Sequence, residues 1–392
     1  MDINFRLFDL IVILGISQGL VYSALLLVKY GQYVSKRILA LILFVFCILS
    51  AKILLHTLGL WQNPYLRYFP LAFDLTFQPL LYLYVVSLTQ KGFTVKRSYF
   101  LHFAPTLIFF AHALWVYIQT QTTDSLALKD QLAEALHFNA VKEVEDILSV
   151  LSGAIYGFLS YRRVVRYRQW LFNTIASTSY PTYLWLRNVL IATGGIFGLL
   201  VINIFLDFSV SLSDRYFVHW QLFYVYLAAT VYYLGIMGYQ QVPFEVAFDA
   251  SESEPSPKRV VDTLPYDQVQ TIKHRIDVAL EQDRLFLDPE LNLNSLASRL
   301  HSSPGLVSAV INSEFDKSFR SLINERRVEE VKHRLTDPAY KHLSILGIAL
   351  ETGFNSEASF YRVFKSITGL SPRQYSAQIA PNTESENSQK LK

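Results

Sequence analysis

Residues 345–375 read ILGIALETGFNSEASFYRVFKSITGLSPRQY. Apolar side chains recur at helical spacing over 344–351, with Ile345, Ile348 and Ala349 on one side, which predicts a helix. Gly353 follows, where a positive φ is cheap. Asn355 or Ser356 then caps a second helix running to Thr368, anchored by Phe360 and Phe364. Upstream, 318–335 (SFRSLINERRVEEVKHRL) predicts a longer helix, with Ser318 as cap and Phe319, Leu322, Ile323, Val331 and Leu335 on the buried side. Before it come two short helices. One, at 294–300, turns Leu296, Ala297 and Leu300 inward; the next has Ser303 as cap, Pro304 at the first helical position and Val307, Val310 and Ile311 inside. Two helix–turn–helix units joined by one long helix suit a protein that reads two successive stretches of one DNA face.

The ordered array closely resembles the DNA-binding domain of the AraC/XylS family of bacterial transcription regulators. It rests on LNLNSLASRL (291–300), INERRVEEVKHRL (323–335) and, most of all, Gly353-Phe354, Phe360, Arg362, Phe364-Lys365, Gly369, Pro372 and Tyr375. The resemblance spans 287–376, under a quarter of the chain. It implies that helices 304–314 and 356–367 enter successive major grooves. The outward residues would be Gly305, Leu306, Ser308, Ala309 and Asn312 in the first, and Glu357, Ala358, Tyr361, Arg362 and Lys365 in the second; Ser303, Asn355 and Ser356 at the helix starts complete the candidate DNA-contacting set. Arg362 and Lys365 reach guanine edges or phosphates, and Asn312 reads adenine or bonds water. Arg327 takes a packing or backbone-contact role.

Departures from the family pattern are Val331 in place of a small alanine and Thr352 in place of an apolar valine. The first recognition helix carries no Lys or Arg, and 287–376 holds eleven basic against ten acidic residues. Affinity for DNA comes largely from neutralising phosphates, so one copy is expected to bind weakly and two copies to remedy it.

The rest of the chain has another character. Of 392 residues, 52% are apolar, 15% aromatic and only 17% charged, with the apolar excess in the first 240. The net charge of +3 is too small to mark a polyanion binder, and the single cysteine, Cys47, excludes an intrachain disulfide or cysteine-based zinc cluster. Apolar stretches at 7–28, 38–59, 69–89, 99–119, 146–161, 184–206 and 217–237 approach the roughly 20 residues that a membrane span needs. With the amino terminus outside, the inner loops 29–37, 90–98 and 162–183 carry most of the lysines and arginines, as the positive-inside bias requires. The five tryptophans fall near expected interfaces. The amino-terminal stretch has no basic leading region or clean cleavage site, so the first span is expected to be retained.

The expected fold is all-α: a seven-helix transmembrane sensor or anchor over 1–240, a flexible linker at 241–265, a helix at 266–286, the double helix–turn–helix domain at 287–376 and a disordered tail at 377–392. In the helix, Val269, Ile272, Ile276 and Ala279 share one face, fit to cover the next domain's core or to pair with a second subunit. Inside the spans, Lys52 and Asp74 are placed to pair in the outer half of the membrane, with Asp9, His112, Asn203, Asp207 and His219 at similar depths. Intramembrane ionisable groups are costly and often functional; these are candidates for an outward-facing signal pocket, or for polar contacts that hold the bundle together.

The expected function is a bacterial inner-membrane, multi-pass, one-component transcription regulator, with its DNA-binding domain in the cytoplasm. Expected partners are double-stranded DNA, the lipid bilayer, a second copy of the chain, RNA polymerase and an extracytoplasmic or membrane-soluble signal. No cofactor, metal or catalytic residue is expected: zinc-ligand spacing, a nucleotide-binding glycine loop and a nucleophile–base constellation are all missing. The alternative is a transporter or enzyme with a regulatory DNA-binding attachment. It meets no internal repeat, and no lysine in 217–237 for a retinal Schiff base.

Overall fold

The structure, a computed structural model, describes residues 5–175, 181–210, 217–241 and 265–378. It is helical, with no sheet among the described residues. One compact unit falls within Met1–Val165 and Thr182–Asp249, the other within Arg166–Pro181 and Ala250–Lys392. Most of the tail expected at 377–392 and most of the expected linker lie outside the described residues.

The first unit contains α1 (Leu7–Tyr30), α2 (Val34–Thr57), α3 (Phe77–Thr89), α4 (Ala104–Thr120), α5 (Leu126–Ala135), most of α6 (Phe138–Thr174), and α7 (Pro181–Val210) and α8 (Val218–Gln240). Among the described residues, five stretches are long and apolar enough to cross a membrane: Leu7–Tyr30, Val34–Thr57, Arg97–Thr120, Thr182–Ser209 and Val218–Gln240. Large apolar side chains lie exposed along α4 (Leu107, Ile108, Trp115, Ile118) and as a stripe on α6 (Ile147, Leu151, Ile155, Phe158). Patches of this kind are costly in water and natural against lipid.

Helix α1 packs on α2 and α8 through small residues. A β-carbon on Gly15 would lie 2.7 Å from the Ala228 β-carbon, and one on Gly19 2.5 Å from Cys47 Sγ. Small residues four apart let helix backbones approach closely where burial of apolar surface supplies no drive. Leu43, Phe46, Tyr84, Val189, Leu227 and Val231 fill the core from α2, α3, α7 and α8. Trp185, expected at an interface, is buried in that core and donates to Tyr84 Oη at 2.7 Å.

Two expected spans differ from the structure. The stretch 69–89 is α-helical only from Phe77; Phe69–Thr76, with Pro70 and Asp74, is not. The stretch 146–161 is the middle of a 37-residue helix, α6, which runs through most of the expected inner loop, so Arg162, Arg163, Arg166 and Arg168 lie on a helix. The expected outer loop 120–145 is folded into α5 and the start of α6, with Lys129 buried and bonded to Thr120 O (2.6 Å) and Asp130 held bidentately by Arg67 (2.7 Å).

The second unit contains α9 (Tyr266–Glu281), α10 (Leu293–Arg299), α11 (Pro304–Glu314), α12 (Phe319–Thr336), α13 (Ile345–Glu351) and α14 (Glu357–Thr368). Five of these begin with a side-chain cap: Asn292, Ser303, Ser318, Ser344 and Ser356 each accept a backbone N–H three residues on. One core joins Val269, Ile272, Ile276 and Ala279 of α9 to Leu296, Val307, Val310 and Phe319, so α9 is part of this fold. A second core gathers Val328, Val331, Ile348, Phe354, Phe360 and Phe364. Helix α12 contributes to both cores.

Candidate functional site

Each helix–turn–helix unit is two short helices, α10–α11 and α13–α14, braced on α12. Gly353 at the second turn has φ +93°. Ser356 caps α14, accepting from Ser359 N at 3.3 Å. The Asn355 amide, with its nitrogen turned inward, donates to Gly353 O and Pro289 O at 3.3 Å. Thr352 is buried and its hydroxyl donates to Ala349 O at 2.8 Å, so a polar residue is accommodated there.

Arg327 is one of the largest fully buried side chains among the described residues. It donates to Phe286 O (2.7 Å) and Asp288 O (2.8 Å), a packing role that ties α12 to the segment before the first unit. Burial pushes its guanidinium down to about 10, which leaves it charged at neutral pH. Below it on α12, Glu330 accepts from Arg334 (2.6 Å) and is paired with Arg284. Burial works to raise that carboxyl, but the two arginines outweigh it and hold it below the usual carboxylate range.

The two recognition helices present different surfaces. On α14, Glu357, Ala358, Arg362 and Lys365 form an open polar side, and Tyr361 is half-buried against Phe360 with ring centroids 5.4 Å apart. On α11, Ser303 is exposed and Gly305, Leu306 and Asn312 are half-buried. The outward placing of Ser308 and Ala309 fails: they are 5% and 1% exposed. The reason is that α11 packs against three helices, α9, α10 and α12, whereas α14 packs against two, α12 and α13. A wider arc of α11 is therefore covered, and short side chains lie below its rim.

The family model described as a helix-turn-helix domain matches residues 296–378. Residues 296–378 are an AraC-type helix-turn-helix domain. An uncharacterized HTH-type transcriptional regulator of Staphylococcus aureus (strain MSSA476) is 30% identical over 114 residues, 29% of this chain and 15% of its own length. The melibiose operon regulatory protein of Escherichia coli (strain K12) is 30% identical over 88 residues, 22% of this chain and 28% of its own. The chain therefore spans a small part of these relatives, and the likeness belongs to the AraC-type domain. No solved structure matches.

In the first unit, the polar groups expected to share one pocket divide into three places. Lys52 meets Asp74 at 3.0 Å, and His112 lines the same cavity as Lys52. On α7 and α8, Asn203 donates to His219 O (3.3 Å), while Asp207 bonds His219 (3.0 Å) and Trp220 (2.7 Å). Asp9 is buried at the start of α1, accepting from Arg6 N at 3.0 Å. Equal depth did not bring all of them to one place.

The cavity has a volume of about 280 Å³. Lys142 and Glu145, not among the expected site residues, complete it: Lys142 Nζ lies 2.8 Å from Asp74, 2.7 Å from Glu145 and 3.0 Å from Asp146. Their spacing along α6, three and four residues, was the signal available in the sequence. The non-helical segment before α3 supplies Phe69, Leu71 and Ala72 to the wall.

Proposed function

We propose that the chain is a membrane-held transcription regulator whose first 240 residues cross the bilayer seven times and govern DNA binding by the AraC-type domain. The observation that carries this reading is the open face of α14 with Arg362 and Lys365, in one chain with five span-length apolar helices. The positive-inside bias puts that domain in the bacterial cytoplasm, where the chromosome is, with the amino terminus outside. Helix α14 reads the major groove through Arg362 and Lys365. Helix α11 contributes closer backbone approach through Ser303, Gly305 and Leu306, with Asn312 as its one amide reader. Asn355, Ser356, Glu357 and Tyr361 border the interface.

With nearly balanced charge in the domain, two copies side by side supply the affinity that one lacks. Lys52, Asp74 and His112 belong to the sensing part; Asp9, Asn203 and His219 act as polar contacts within the bundle. The test is genome-wide occupancy of the full chain against Arg362→Ala and Lys365→Ala variants at equal protein level. Loss of discrete sites in the variants is expected; occupancy indifferent to both substitutions would end the reading.

A further inference from the structure

The first unit's cavity has an acceptor with no partner among the described residues. Glu145 is 2% exposed and lines the cavity. Its Oε2 accepts from Lys142 Nζ at 2.7 Å, while its Oε1 has no hydrogen-bond partner. An unpaired buried carboxylate oxygen is expensive, so such a site is completed by a donor. His112 adds a second acceptor: its Nε2 sits 3.1 Å from Leu136 O and must donate to that carbonyl, which leaves Nδ1 an acceptor in the neutral ring.

The charge count points the same way. Lys52 and Lys142 face three carboxylates, Asp74, Glu145 and Asp146, and both lysines are already paired. An anion would have to displace Asp74 from two ammonium groups at once. Apart from His56 and Asn139, the remaining wall is apolar and largely aromatic, with Leu55, Trp61, Phe69, Phe109, Phe138 and Val141. Aromatic faces also favour a cation. At about 280 Å³ the volume is just below the roughly 300–1,000 Å³ of drug-sized pockets, which limits the guest to a small molecule. Irregular backbone at membrane depth, such as Phe69–Thr76, is tolerated where it is buried or lines a cavity.

We propose that this cavity binds a small organic ammonium with a ring-sized apolar body, its N–H donating to Glu145 Oε1 and its body against Trp61 and the phenylalanines. The proposal rests on the reading of the first unit as a sensor and names the class of its signal.

The experiment uses the full chain in lipid nanodiscs, without DNA, with 2-phenylethylammonium as probe and 3-phenylpropionate as its opposite-charge counterpart. Trp61 fluorescence and Tm report binding. Saturable binding of the ammonium is expected, weakened at least about tenfold in Glu145→Gln by loss of a charge-assisted hydrogen bond. A variant that leaves the charges alone, Ala113→Leu, narrows the cavity and is expected to abolish binding. The proposal is overturned if the carboxylate binds as tightly as the ammonium, or if folded Glu145→Gln or Ala113→Leu protein binds the ammonium like wild type. Promoter occupancy is measured separately, with and without the ammonium. Binding that leaves occupancy unchanged upholds the site and removes the sensing reading; a reporter response that persists in Ala113→Leu removes the site and leaves sensing to another place.

Discussion

At Gly353 a β-carbon would fall 2.7 Å from Phe286 O, 2.8 Å from Arg327 Nε and 2.9 Å from Leu287 O. Two of these neighbours are backbone, and the positive φ adds strain for any L side chain. Gly353→Ala is expected to destabilise the domain by at least about 1–3 kcal/mol, the range for a residue forced into that region. Urea unfolding followed by circular dichroism reads this directly. Arg327→Met keeps the volume and strands two buried carbonyls, those of Phe286 and Asp288. A loss of roughly 1–3 kcal/mol per unsatisfied group applies. The sequence placed Arg327 as a packing residue, but nothing in its spacing named those carbonyls, which come from a segment forty residues away in the chain.

Glu330 gives a pH dependence. Its folded carboxyl is held below the ordinary range of about 4.3, so its contribution is complete above that value and is lost as pH falls through the lower folded one. The stability gap between wild type and Glu330→Gln is therefore expected to be widest near neutrality and to shrink on acidification. A gap that widened below pH 4 would reverse the assignment.

Among elements, α14 and α11 differ in what they offer DNA. Arg362→Ala is expected to cost about 1–3 kcal/mol if the guanidinium grips a base edge, with relaxed preference at one position. If it grips phosphate instead, the salt slope falls by about one and preference stays. Asn312→Ala, on the more covered helix, should cost less in the same titration. Both helix–turn–helix units were legible in the sequence, because their apolar spacing and their serine starts, Ser303 and Ser356, with Ser318 starting the helix between them, carry local information. The burial of Ser308 and Ala309 was not, since it depends on α9 covering α11, a packing fact. In the other unit, apolar runs announced the helices but not their ends. Helix α3 starts late, at Phe77, and α6 continues past its apolar stretch on charged residues that hydropathy counts against a span. Lys52 and Asp74 were placed together by depth alone, whereas Lys142 was hidden in an apparent loop. On α1, Gly15→Leu is expected to push the helix off Ala228 and lower yield of folded protein in detergent, read as the monodisperse fraction on gel filtration.

For the whole molecule, the proposed seven crossings make a labelling prediction. Cys47 is buried, so a cysteine introduced at Asp124 should react with an impermeant maleimide in intact cells, while one at Ser251 should react only after lysis. Equal labelling of both would mean an even number of crossings between them. Exchange of residues 1–240 for an unrelated anchor is expected to keep DNA occupancy and remove its response to the membrane-side signal.

The shared helix α12 and the Arg327 tie to residues 286 and 288 make the two reading helices parts of one solid body. Such a body has no joint at which to absorb a change in operator length. One inserted base pair between its two contact sites turns the far site by a tenth of a helical repeat, and the strain of meeting it falls on the duplex, through bending or altered twist. Operators for this protein should accordingly tolerate base changes in the middle far better than any change in length.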